Sequence, residues 1–290
     1  MGGERLRKGE KMRTIECREI TDAVARLCIE SNLYLPEAVA AKLDSLAKNE
    51  TSALGLAAIK AFADNRRVAA ADKLALCQDT GVAVIFVELG QEVAISDGLL
   101  TDAINAGVAQ GYREGYLRKS MVTALERMNT GDNTPAVIHL ELVAGDKLSI
   151  CVLPKGGGAE NMSRLAMLKP SAGVEGVRRF VLDTVREAGP NPCPPVVVGV
   201  GVGGDFERCA ELAKKALCRE IGSVNADPGL AKLEEQWLAD VNELGIGVQG
   251  FGGPNTAIGL FIEEQPCHFA SLPVAVNLNC HCDRSRKVVL

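Results

Sequence analysis

Residues 189–195 read Gly189-Pro190-Asn191-Pro192-Cys193-Pro194-Pro195. Proline fixes φ and carries no backbone donor, so neither a helix nor a central strand can hold this stretch. It must be a rigid loop. Directly after it, residues 196–200 are valine but for Gly199, a run that reads as a buried strand. The chain therefore carries a cysteine on a stiff loop at the mouth of a core strand. That setting suits a functional thiol better than a packing one.

A second cysteine occupies a comparable place. Leu76-Cys77-Gln78-Asp79-Thr80-Gly81 is a turn, and the β-branched run of residues 82–87 behind it is a buried strand. Apolar spacing predicts helices over residues 20–30, from Pro36 to about residue 47, and over 51–67, the last capped by Thr51 or Ser52. These make an N-terminal helical layer. Further helices are expected over 98–116 (capped by Ser96 or Asp97), 171–188, 206–218 and 230–244. Strands over 136–143 and 148–153 flank Ala144-Gly145-Asp146-Lys147, which signals a hairpin. His139, inside the first of them, reads as a satisfied sheet residue. Strands 256–262 and 274–278 complete the pattern. The fold class is α/β, or mixed α+β, with central sheets surrounded by helices. No linker or repeat interrupts it, so residues 12–290 are read as one domain. The basic, glycine-bearing residues 1–11 are read as a disordered leader, without the apolar centre of a signal peptide.

The chain has 290 residues, 47% hydrophobic and 24% charged, with a net charge of −5. The acidic balance argues against nucleic acid as the main partner. No apolar run is long enough for a membrane span. Ten cysteines in a chain with so large a core, and with no export signal, point to the reduced cytoplasm rather than to disulfides. Cys28, Cys151, Cys209 and Cys218 lie within periodic apolar segments and read as packing residues, as does Cys17 at the head of a helix. Cys77, Cys193 and Cys280 stand apart, each on a loop beside a strand. Cys280 and Cys282 form a C-x-C pair, and no C-x-x-C occurs among these, which disfavours a zinc ribbon. Three separate cysteines can anchor three irons of a [4Fe–4S] cluster, leaving the fourth iron open as a Lewis acid.

Two more stretches invite a ligand. Lys155-Gly156-Gly157-Gly158 can let backbone amides converge on an anion, but it lacks the ending of a P-loop. Arg118, after a helix, could grip a carboxylate. Gly199-Val200-Gly201-Val202-Gly203-Gly204-Asp205 matches the dinucleotide fingerprint poorly, and Asp205 reads as a helix cap.

Cys77-Gln78-Asp79-Thr80-Gly81, Asn129-Thr130-Gly131, Lys155-Gly156-Gly157-Gly158, Cys193 after Pro192, and the tail from His268 to Arg284 occur together in this order. As a set they resemble the iron–sulfur hydro-lyases, the class I fumarases and L-tartrate dehydratases, from about residue 20 to the C-terminus. The resemblance implies a [4Fe–4S] cluster on Cys77, Cys193 and Cys280. Cys282 is the competitor for the third place, and the family's Cys-x-x-Asp-Arg aligns with Cys280 through Arg284. It implies catalytic roles for Asp79 and His268, and substrate contacts from Arg118 and from Gly156, Gly157 and Gly158. His281 is read as supporting or surface. Single-chain class I fumarases continue into a second domain with the general base, whereas this chain stops just past the cluster motif. The resemblance therefore implies an α subunit completed by a β subunit, in an α2β2 assembly or a homo-oligomer of α, acting on a four-carbon dicarboxylate. The expected reaction is hydration of fumarate to malate. L(+)-tartrate dehydration is the same-class alternative. A non-catalytic iron–sulfur sensor or structural protein, and cysteines with no cluster at all, are the readings of other classes.

Overall fold

The structure is a computed structural model and describes residues 12–290. The leader expected over residues 1–11 lies outside the described residues. In chain order the elements are β1 (Arg13–Glu16), α1 (Cys17–Leu33), α2 (Glu37–Ser45), α3 (Ala53–Asp72), β2 (Val82–Gly90), β3 (Val93–Ser96) and α4 (Leu100–Glu114). There follow β4 (Val137–Val143), β5 (Leu148–Lys155), the single turn α5 (Gly157–Glu160), β6 (Arg164–Leu168), α6 (Gly173–Ala188) and β7 (Val196–Gly203). The chain ends with α7 (Phe206–Ala216), α8 (Pro228–Glu243), β8 (Ala257–Gln265), β9 (Leu272–Asn279) and β10 (Arg286–Val289). The mixture of sheets and helices is the α/β class expected from the sequence. Among the described residues no helix is long and apolar enough to cross a membrane.

The elements group into two compact units. The first takes the described chain up to Glu30, Ala83–Val152 and Arg286–Leu290. Its main sheet has the order β10-β5-β2-β4, with β2 parallel to β4 and β10 antiparallel to β5. The expected hairpin of β4 and β5 does not form, because β2 lies between them. The reason is burial. Ala83 to Val87 in β2 is wholly buried and needs a neighbour on both edges, whereas β4 is half exposed and suits an edge. The connecting turn instead bonds to the end of β2, through Gly90 N to Lys147 O at 2.9 Å. α4 packs on α1 along small residues: a Cβ on Gly107 or Gly111 would stand 2.7 Å from the Thr21 or Ala25 carbonyl. Neither Ser96 nor Asp97 caps α4; its N-cap is Leu99, without a side-chain bond.

The second unit is Ser31–Val82 with Leu153–Ser285. Of the expected N-terminal helices, α2 and α3 belong here, and Ser52 caps α3 by accepting from Gly55 N. The sheet has the order β6-β9-β7-β8. β7 runs parallel to β8 and antiparallel to β9, with Val197 opposite Asn279 and Gly203 opposite Gln265. Valines of α6 and β7 with Trp237 and Val241 of α8 fill the core. Gly199, Gly201 and Gly203 of the loose dinucleotide-like stretch lie inside β7. Their service is to packing: a methyl on Gly199 or Gly201 would run into the backbone of α7 at Ala213 or Cys209. Asp205 caps α7, accepting from Arg208 N at 2.8 Å. We predict that Gly201→Ala destabilises the protein by about 2 kcal/mol or more, since α7 must shift off the sheet. Chemical denaturation would measure it, and an unchanged midpoint would contradict this packing account.

Candidate active site

Cys77 follows α3 in a segment pinned on both sides of Leu76. Leu76 N donates to Asn32 O at 2.8 Å, and Leu76 O accepts from Asn65 Nδ2 at 2.8 Å. Leu76 is buried in an apolar cluster with Ala69 and Cys282, against which Cys280 and Leu35 pack. The first motif and the C-x-C tail thus share one small core. Gly81 has φ +76°, and a Cβ there would meet the Lys155 backbone at 2.7 Å, so the turn lies against the end of β5.

Asp79 organises the neighbouring loop. Its Oδ1 accepts from Gly81 N at 3.0 Å and its Oδ2 from Gly157 N at 2.8 Å. A Cβ on Gly156 would stand 3.2 Å from Asp79 Oδ2. Gly156 and Gly157 let this carboxylate approach, and the Gly157 amide is held by the protein's own anion. A Cβ on Gly158 would lie 3.6 Å from Asn191 O, which brings the glycine loop beside the loop of Cys193.

Cys193 is exposed and has φ +57°, a left-handed conformation that costs a non-glycine residue about 1–3 kcal/mol. Three contacts hold it there. Cys193 N donates to Pro190 O at 3.0 Å, and Cys193 O accepts from His281 N at 3.3 Å and His281 Nδ1 at 3.1 Å. Gln249 donates through its backbone N and its Nε2 to Pro194 O at 2.8 and 2.9 Å. The His281 ring stacks on Phe62, with centroids 3.9 Å apart. Burial pushes this imidazole below its ordinary pKa, so it is neutral and donates from Nδ1. His281, which sequence reasoning left between supporting and surface, is a strap between two cysteine-bearing loops.

The thiols feel one another. Burial pushes Cys280 up to about 12, and Cys282 and Cys77 add to the rise. Burial raises Cys193, and Cys77 raises it further. Cys193 precedes β7 and Cys280 follows β9, so both stand at the same end of this unit's sheet, and Leu76, next to Cys77, shares an apolar cluster with Cys280. Among the described residues no three His, Cys, Asp or Glu side chains surround a point where a single metal ion would sit. A four-iron cluster attaches each cysteine to a different iron, so its sulfurs stand apart and do not converge.

Two buried cations accompany the thiols, and sequence reasoning passed over both. Arg284, 2% exposed, donates from Nη2 to Asp79 O at 2.6 Å and from Nη1 to Cys282 Sγ at 3.3 Å. Burial alone would lower its pKa, but Cys282, Cys280 and Cys77 outweigh that and raise it. Its Nε is buried without a partner. Lys155, also 2% exposed, pairs with Glu160 Oε2 at 3.1 Å and senses Cys280. Glu160 in turn pairs with Lys214 and accepts from Asn277 Nδ2 at 3.0 Å. Asp283 is buried, accepts from Asn279 Nδ2 at 2.7 Å, and is pushed up to about 7 chiefly by burial. Two cations buried around a group of thiols fit an anionic centre made by those sulfurs. The signal for them was in the motifs, as Lys155 heads the glycine run and Arg284 closes the tail. Charge at a motif's edge reads as solvated until burial is known.

Two further expected residues are Arg118 and His268. Arg118 belongs to the first unit, exposed, on the segment after α4. His268 is exposed on the loop between β8 and β9, with its Nδ1 accepting from Ala270 N at 3.2 Å. That loop leaves the opposite end of the sheet from Cys193 and Cys280.

The family model described as fumarate hydratase (Fumerase) matches residues 21–289. The chain belongs to this fumarate hydratase family. Its relatives include the "Putative L(+)-tartrate dehydratase subunit alpha" of Methanocaldococcus jannaschii, 42% identical over 272 residues, 92% of this chain and 95% of that one. The L(+)-tartrate dehydratase subunit alpha of Escherichia coli strain UTI89 is 34% identical over 270 residues, 92% and 89% of the two chains. A member of the fumarate hydratase family is a hydro-lyase, an enzyme that adds water to a carbon–carbon double bond or removes it.

The Glu160 pairs give a pH-dependent prediction. Burial would raise its carboxyl, but Lys155 and Lys214 outweigh burial and hold it down to about 2. A depressed folded pKa contributes stability above the unfolded value near 4.5 that is lost as pH falls toward 2. Glu160→Gln leaves Lys155 buried and unpaired, at a cost of roughly 3 kcal/mol at pH 7. The difference between the two proteins should shrink below pH 4.5 in denaturant titrations. A difference independent of pH would contradict the pairing.

Proposed function

We propose that this chain is the α subunit of an iron–sulfur hydro-lyase for a four-carbon dicarboxylate, with a β subunit completing the site. The reaction is the reversible hydration of fumarate to malate. Cys77, Cys193 and Cys280 are the residues that would hold a [4Fe–4S] cluster. When bound, it supplies an iron with an open position, a Lewis acid for the substrate's hydroxyl and a carboxylate. The observation that carries this reading is that two side chains tie the cysteine-bearing loops together: Arg284 bonds Asp79 O and Cys282 Sγ, and His281 bonds Cys193 O. The names of the relatives as alpha subunits support the two-chain form.

The chain's own residues then have separate tasks. Arg284 and Lys155 offset the negative charge of the sulfurs, and Arg284 fixes the backbone at Asp79. His281 sets the Cys193 loop. Asp79 keeps one amide on each oxygen, and a carboxylate has further acceptor sites with which to orient the substrate's hydroxyl or the entering water. Gly156, Gly157 and Gly158 leave room for a substrate carboxylate close to the backbone. Arg118 grips a carboxylate, and His268 donates to one. A base on the β subunit takes the proton from the carbon next to the departing hydroxyl.

A second reading keeps the site and changes the substrate to L(+)-tartrate. The names of both relatives favour it. The test is anaerobic co-production with the β subunit, reconstitution with iron and sulfide, and assay of both substrates. Turnover of fumarate at least tenfold above L(+)-tartrate in kcat/KM is expected; the reverse ratio selects the second reading. Cys77→Ser, Cys193→Ser and Cys280→Ser should each lose iron and activity by more than about tenfold, while Cys282→Ser keeps both. Absence of iron–sulfur absorption in the reconstituted native chain would remove the site model. A loaded cluster without turnover of either substrate would select a sensor.

A further inference from the structure

We propose that a groove along the free edge of β8 binds a short, extended, acidic segment of a partner polypeptide, one residue of which pairs with the backbone of Leu260. The inference is independent of the cysteine site. β8 is the last strand in the order β6-β9-β7-β8, so one of its edges has no strand beside it. The N–H and C=O groups on such an edge need other partners. Side chains supply them at both ends. Asn242 Oδ1 accepts from Ala257 N at 2.9 Å, and Asn242 Nδ2 donates to Ala257 O at 3.3 Å. Glu234 Oε1 accepts from Ile262 N at 2.8 Å, and Asn225 Nδ2 donates to Ile262 O at 3.0 Å. Ala257 and Ile262 are an odd number of positions apart and would face opposite edges of a regular strand. The register against β7 slips at Ile258, with Val196 opposite Ala257 and Val197 opposite Gly259, which turns both residues to the free edge. Counting back from Ile262, Phe261 faces β7 and Leu260 faces the free edge. Among the described residues no side chain caps Leu260, although it is 3% exposed. Backbone groups in so buried a residue are costly to leave unpaired.

This gap between the caps opens into a groove of about 540 Å³. Residues 258–261 form one wall, with Ile221, Leu238, Lys42, Lys232 and Glu235 around them. The space is that of a small-ligand site, roughly 300–1,000 Å³, and not of a long added strand. The caps set the same limit, since Asn242 and Glu234 occupy the edge on either side of Leu260. A second copy of β8 therefore cannot continue the sheet here, whereas one residue of a short segment can pair. In an antiparallel hydrogen-bonded pair two residues exchange both N–H···O bonds. A peptide residue thus satisfies Leu260 N and O together. A carboxylate has no donor and satisfies only the N–H. Charge sets the rest of the segment. Lys42 and Lys232 are exposed on the groove wall. Glu234 is taken up by Arg219, which leaves Glu235 as the opposing acid and a net positive wall in a chain of net charge −5. Acidic side chains flanking the pairing residue complement that wall.

The full chain, labelled with 15N-leucine, is titrated with the peptide Ac-Glu-Val-Glu-NH2 and followed by NMR. Leu260→Met identifies the Leu260 amide by its disappearance. That amide should shift on saturable binding, and its exchange with solvent should slow by at least about tenfold. N-methylation of the peptide's valine removes the donor and should weaken binding by about tenfold. Ac-Gln-Val-Gln-NH2 should bind about fivefold more weakly than the acidic peptide, and Lys232→Glu should abolish that preference. No shift at Leu260 with any of these peptides overturns the inference, as does equal binding of the N-methylated one. The same Leu260 shift with malate alone also overturns it, because the groove is then a site for a small carboxylate.

Discussion

The guanidinium of Arg284 is the tie on which the second unit's loop cluster depends. It is buried, and it spans from the backbone carbonyl of Asp79 to the sulfur of Cys282. One side chain thus fixes the first cysteine motif against the last. A cation buried this deeply is costly unless negative charge lies around it. The sulfurs of Cys77, Cys280 and Cys282 surround it and favour its charged form. The cation ties the loops through its bonds to Asp79 O and Cys282 Sγ.

Around this tie, each loop is held by a different device. Asp79 binds its own turn and the glycine loop with two amide bonds. His281 holds the carbonyl of Cys193, whose backbone sits in a strained conformation. Glu50, buried, accepts from Thr51 N, Ser52 N and Asn255 Nδ2, which joins the start of α3 to the glycine-rich loop before β8. Backbone strain at Cys193 is a cost that a packing cysteine would have no reason to bear.

Much of the fold was legible in the sequence, because runs such as Val82 to Val87 and the helical spacing of α6 and α8 carry one period each. The failures are of pairing and of short elements. The β4–β5 turn looked like a hairpin, since local turn chemistry says nothing about a third strand claiming the space between. The four-residue strands β1, β3 and β10 are too short to show a period. At the site, the cysteines stood out by their loops, whereas Lys155, Arg284 and the strap role of His281 depend on burial and on partners up to 205 positions away in sequence. The glycine run suggests a cradle for an outside anion, and Gly156 and Gly157 accommodate Asp79.

In the proposed function three cysteines hold a cluster with one iron free for substrate, and Mössbauer spectroscopy of the 57Fe-reconstituted complex distinguishes that iron from the others. Adding fumarate or malate should change the isomer shift of one iron of the four and leave the other three in place. Four irons that all stay unchanged while substrate turns over would contradict the account.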